Sequence, residues 1–132
     1  MSVVDGVVEA VIRLIQDTKP FARVTRGQLP TKGAGLACEI GPSAYTNLHW
    51  NKDSDVTLNL TLNGKHKDLQ KLSNTLNDIH SLLTRRTEYP SGDAWQILDI
   101  QNGINPQQIG REASGEWLMA SSLNIKFYQR GD

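Results

Sequence analysis

The chain has little cysteine, no net charge and no long uninterrupted apolar run, and each shortage excludes a class of protein. Its single cysteine, Cys38, precludes an internal disulfide and suits a reducing compartment. Fourteen Lys and Arg residues balance fourteen Asp and Glu, so the formal net charge is zero. A dedicated nucleic-acid binder, whose affinity rests on neutralising phosphates, would carry a basic surplus. The apolar stretch SVVDGVVEAVIRLI is broken by Asp5, Glu9 and Arg13. It therefore fits neither a secretory signal core nor a membrane span of about 20 apolar residues, and the expectation is a soluble protein with no membrane partner. No internal repeat, low-complexity segment or linker divides the chain, so residues 1–132 are read as one domain. At this length a folded chain buries roughly two-thirds of its unfolded surface, enough for a core without metals or cross-links.

Chemical motifs are equally scarce. His49, His66 and His80 form no i, i+4 pair and no metal-ligand spacing, so they read as structural histidines before a metal or proton-transfer role. Cys38, between Ala37 and Glu39, reads as a small buried hydrophobe. Asp53 and Asp55 in NKDSDV lack the glycine and downstream glutamate of a calcium loop and read as a solvated turn. Asp99, within the apolar QILDIQ, is expected at an edge or on the surface. KGAGL and NGKHKD lack the further glycine, or the Ser/Thr, that a phosphate-binding loop requires. The sequon Asn59-Leu60-Thr61 lies mid-strand, and Arg130-Gly131-Asp132 is a chain end; neither is read as functional. No catalytic, cofactor-binding or metal-binding set emerges.

What is present is pattern. Val4, Val7, Val8, Val11, Ile12 and Ile15 predict an amphipathic helix over residues 3–16, stopped by Pro20. FARVTRGQL, GLACEI and YTNLHW predict short strands separated by Pro30, Gly33, Gly35 and Gly41-Pro42. Residues 55–63 predict the clearest strand. A helix is predicted over about residues 67–84, with Leu69, Leu72, Leu76, Ile79 and Leu83 on one stripe. AWQILDIQ and EWLMASSLNIKFYQ predict two more strands, joined by the polar loop NGINPQQIGREASG.

The strand at 55–63 sets the architecture. Val56, Leu58, Leu60 and Leu62 alternate with Thr57, Asn59, Thr61 and Asn63. Burying the aliphatic set at about 2 kcal/mol per side chain makes the strand hard to turn over. The Thr/Asn row must then face away from the helices, as solvated surface, as a docking face or as a recognition platform. The expected fold is α+β: a mixed, mostly antiparallel sheet with two α-helices packed on one face. If the strands at 55–63 and 94–101 are parallel neighbours, the helix between them forms a right-handed crossover.

This order has a familiar cast when read with its punctuation: GQLPTKGAG, the unit DVTLNLTLNGKHKDLQKLSNTLNDIHSLL, the turn TEYPSGDAWQI, and NPQQIGREASGEW before LMASSLNIKFYQ. With Pro106, Gly110, Gly115 and Trp117 ahead of the last strand, it resembles the tail-terminator and minor capsid proteins of long-tailed bacteriophages and related prophages. The resemblance spans nearly the whole chain. It implies a non-enzymatic virion protein without cofactor or small-molecule substrate, made in the bacterial host cytoplasm. It also implies a homo-oligomeric ring, often a hexamer, that caps the tail tube and meets the head connector, with DNA passing through its lumen. Thr57, Asn59, Thr61 and Asn63 would then form an oligomer contact or a lumen-facing surface, and ring closure would need heterologous, head-to-tail interfaces.

Two other readings compete. Lys19 to Lys32 holds four cations and no acid, and Lys65 to Arg86 holds five cations against Asp68 and Asp78. These clusters suggest a small nucleic-acid-binding module, although residues 55–63 offer no aromatic ring for base stacking. A small enzyme would need a site assembled from dispersed residues such as Asp99, His49 and His80.

Overall fold

A computed structural model of the chain describes residues 3–48 and 54–130; His49, Asp53 and the Gly131-Asp132 end lie outside them. Helix α1 (Val3–Asp17) buries Val7, Val8, Val11, Leu14 and Ile15 on one stripe. Valine is a mediocre helix former, so packing holds this element. It ends where Lys19, just before Pro20, enters the left-handed region (φ 56°) and donates its N–H to Gln16 O. Gly6 is a packing necessity here: a Cβ would sit 2.9 Å from the Trp95 indole nitrogen, so its absence lets Trp95 close against the helix.

Strand β1 (Val24–Arg26) is short and runs parallel to β2 (Gly35–Leu48). The expected break at Gly41-Pro42 is absent: GLACEI and the described part of YTNLHW are one strand, with register irregularities between Ile40 and Ser43 and between Tyr45 and Asn47. The reason is positional. Gly41 and Pro42 fall in the irregularity between Ile40 and Ser43, where the ladder to β3 is already interrupted, and among the described residues β1 pairs only with Leu36 to Cys38 on the other side.

Strand β3 (Ser54–His66) follows, its alternate side chains buried along nearly its whole length. Helix α2 (Leu69–Thr84) begins two residues later than the periodicity suggested. Asp68 is its N-cap, accepting from Lys71 N at 3.2 Å, while His66 Nδ1 accepts from Asp68 N. Strands β4 (Trp95–Asn102) and β6 (Trp117–Gln129) match the expected positions. The predicted polar loop between them contains a further strand, β5 (Gln107–Arg111).

The sheet order is β1-β2-β3-β6-β4, with β5 also paired to β6, and every pairing except β1–β2 is antiparallel. β3 and β4 are therefore parallel but not neighbours, because β6 lies between them, pairing with β3 from Ser54↔Gln129 to His66↔Trp117. Helix α2 packs across β3, β6 and β4, and α1 packs on α2 and near β1 and β4. Val56, Leu58, Leu60 and Leu62 of β3 meet Leu72, Leu76, Ile79 and Leu83 of α2 in a single α+β core. Among the described residues, no helix is long and apolar enough to cross a membrane.

Candidate assembly surface

The sheet face turned away from the helices is built from short polar side chains. Thr57, Asn59, Thr61 and Asn63 are all half-buried, and their register partners on β6 are Lys126, Asn124, Ser122 and Ala120. Asn59 Nδ2 donates to Asn124 Oδ1 at 3.0 Å, and the Thr61 hydroxyl donates to Glu39 O on β2 at 3.1 Å. Gly41 makes room for this arrangement, since a Cβ there would come within 2.6 Å of Asn59 Oδ1. Ser122 extends the network: its Oγ accepts from Ile104 N at 2.8 Å, and its backbone pairs with Gly103 and Ile104 in the β4–β5 turn. The surface is thus held in place across β2, β3 and β6, with Glu39 beside Thr61 and Lys126 beside Thr57 as its charged neighbours. It presents amide and hydroxyl groups at fixed spacing, suited to hydrogen bonding and poor in proton-transfer chemistry.

Of the dispersed residues weighed for catalysis, His80 and Asp99 are not brought together. His80, 3 % exposed, lies on α2 facing the core, with Nδ1 2.8 Å from Asn102 Oδ1 and Nε2 2.9 Å from Ser121 Oγ. The Ser121 hydroxyl donates onward to Leu62 O at 2.8 Å, so one imidazole ties α2 to β4, β6 and β3. Burial lowers the His80 pKa, and the Asn102 contact partly opposes it. Asp99 sits on the opposite side of the sheet, opposite Lys126 in register, and accepts from Gln101 Nε2. His49 and Asp53 fall outside the described residues. Cys38 is fully buried, and desolvation first of all pushes its thiol up to about 11, which leaves it a poor nucleophile. Among the described residues no three of His, Cys, Asp or Glu stand close enough to share a metal. A cleft of about 520 Å³ at the start of α2 is lined by Lys67, Gln70, Gln108 and Asp68, whose carboxylate already caps the helix.

The basic clusters are also divided. Arg26 pairs with Asp5 at 3.1 Å. Lys65 is 1 % exposed, its ammonium 3.3 Å from both Glu112 carboxylate oxygens. Lys67 and Lys71 flank the start of α2 whereas Arg85 and Arg86 follow its end, roughly 24 Å away at 1.5 Å per helical residue. The Lys65–Arg86 run is therefore not one patch. The Lys65–Glu112 pair and the His80 bridge had no signal in the sequence, since their partners lie tens of residues away.

No protein-family model matches the chain, and no curated protein matches it significantly. Among solved structures it is similar to a chain in the virion of a native gene transfer agent particle, with a TM-score of 0.66 and 9 % identity. The similarity covers 97 % of this chain and 99 % of that one. At such low identity what is shared is the fold, and it is shared from end to end.

Proposed function

We propose that the chain is a structural protein of a phage-type virion, a tail-terminator or minor capsid subunit that closes the tail tube at the head–tail junction. The observation that carries this reading is the full-length fold similarity to a virion chain, with neither protein left with a large unmatched segment. The sequence resemblance points the same way by a separate route. In this role six copies form a ring, the partners are tail-tube and head-connector proteins, and DNA is met only as it passes the lumen. The Thr57–Asn63 row supplies a contact or lumen-facing surface, its hydrogen-bonded side chains offering regular polar groups at low ordering cost. The protein performs no reaction and takes no cofactor.

Co-sedimentation with purified tail tubes tests the proposal. Saturable binding at a few copies per tube end is expected, and a chain that never associates with tubes contradicts it. The nucleic-acid reading predicts salt-dependent retention of DNA or RNA in filter binding. With Arg26 and Lys65 engaged by carboxylates, weak or no retention is expected.

A further inference from the structure

The hydrogens of the His80 bridge can be assigned by counting. Ser121 Oγ stands 2.9 Å from His80 Nε2 and 2.8 Å from Leu62 O, and its hydroxyl has one hydrogen for the two of them. Were that hydrogen given to Nε2, two acceptor oxygens would face each other at 2.8 Å with nothing between them. That contact is repulsive. The hydroxyl therefore donates to Leu62 O, and the ring supplies an N–H at Nε2.

A neutral imidazole has one N–H, so its Nδ1 is then bare and needs a donor. Asn102 holds the place opposite, 2.8 Å away. Its carboxamide can serve either charge state, because the oxygen and nitrogen ends have the same shape. Nδ2 donates to the bare Nδ1 of the neutral ring, whereas Oδ1, the end placed there in this structure, accepts from the Nδ1–H of an imidazolium. Proton uptake is thus confined to Nδ1. That side is also the accessible one, since Asn102 is exposed and Ser121 is buried. Among the described residues no charged group faces the ring from the elements that hold it. Asp55 and Lys65 of β3, Asp99 of β4 and Lys126 of β6 lie on the far face, and Lys71 and Asp78 of α2 are exposed.

Asn102 also stands where the chain passes from one face of the sheet to the other. Its side chain reaches His80, while Gly103 lies on the open face, where a Cβ would run into Ser122 Oγ and come within 3.4 Å of Asn59 Nδ2 and Asn124 Oδ1. Gly103 N donates to Ser122 O, and Ile104 N to Ser122 Oγ.

We propose that His80, Ser121 and Asn102 form a proton switch between the core and the polar face. A proton taken up at Nδ1 turns the Asn102 carboxamide end for end, and the Gly103–Ile104 turn carries the change to the Asn59–Asn124 pair. Every hydrogen bond of the bridge is kept in both states, so the charge changes without opening the core. Burial sets the resting state as the neutral ring. The switch does not depend on what the polar face binds, so it stands or falls apart from the virion reading.

Nitrogen-15 NMR of the histidine rings from pH 8 to pH 4 tests it, with His80→Gln identifying the His80 signals. At pH 8 the wild type is expected to show Nε2 protonated and Nδ1 bare, and both protonated below a midpoint under 6.5. The Asn59 side-chain amide and the Gly103 backbone amide are expected to shift with the same midpoint, and to lose that response in His80→Gln. Asn102→Asp fixes an acceptor opposite Nδ1 and should move the midpoint above 6.5. Ser121→Ala removes the constraint on Nε2 and should leave a mixture of the two neutral tautomers. Thermal melts verify that the variants fold, and the wild-type tautomer needs no variant at all. A neutral ring protonated at Nδ1 overturns the proposal, as does an Asn102→Asp midpoint that stays with the wild type or an Asn59 amide that ignores the His80 titration.

Discussion

The two faces of β3 belong to the same thirteen residues, yet they are stabilised in unlike ways. On the helix side Val56, Leu58, Leu60 and Leu62 are nearly or fully buried, held by apolar area that only a matching volume can replace. On the far side Thr57, Asn59, Thr61 and Asn63 remain half exposed, with Asn59 and Thr61 hydrogen-bonded to neighbouring strands. The first face decides whether the domain folds. The second is free to change with modest cost to the monomer, which is the property an assembly surface needs.

The sharpest way to break this contrast is Leu60→Asp. A carboxylate among α2 side chains costs more than about 4 kcal/mol, a large part of a typical domain's stability, and circular dichroism should show an unfolded chain. Next in size is an asymmetric pair at the rim of the core. Glu112→Ala leaves the Lys65 ammonium buried without its partner and should cost about 1–3 kcal/mol in urea unfolding. Lys65→Met removes the buried charge itself and should cost less, or even stabilise.

His80 gives a pH signature. Burial holds its folded-state pKa below the ordinary value, so the unfolded chain takes up this proton first as pH falls through about 6.5. The His80 contribution is therefore complete above that pH and declines as pH falls toward the folded-state value. Urea midpoints at pH 8 and pH 5 should differ more in the wild type than in His80→Gln. The smallest effect belongs to the open face. Asn59→Asp forfeits the donor to Asn124 and should cost about 1 kcal/mol, leaving a cooperative melt while weakening tube binding. Equal loss of stability in Leu60→Asp and Asn59→Asp would erase the distinction between the faces.

The orientation of β3 was legible because strict alternation has period two and only one register buries four aliphatic residues. The α2 stripe was legible for the corresponding reason at period 3.6. β5 was not: QQIGR holds one aliphatic residue, Ile109, and the bulge turns it outward, so no periodicity survives. Nor was the continuity of β2 through Gly41-Pro42, which rests on an irregularity in the ladder to β3 at those residues. The insertion of β6 between β3 and β4 is a long-range pairing that no local window contains. Of the candidate surface, the residues could be named from β3 alone. Their partners Asn124, Glu39 and Ser122 required the sheet order.

The most direct measurement is electron microscopy of tail tubes mixed with the purified chain, averaged along the tube axis. A closed ring of six subunits seated at one end of each tube is the predicted image. Density scattered along the tube wall, or tubes with bare ends beside free protein, would contradict the account.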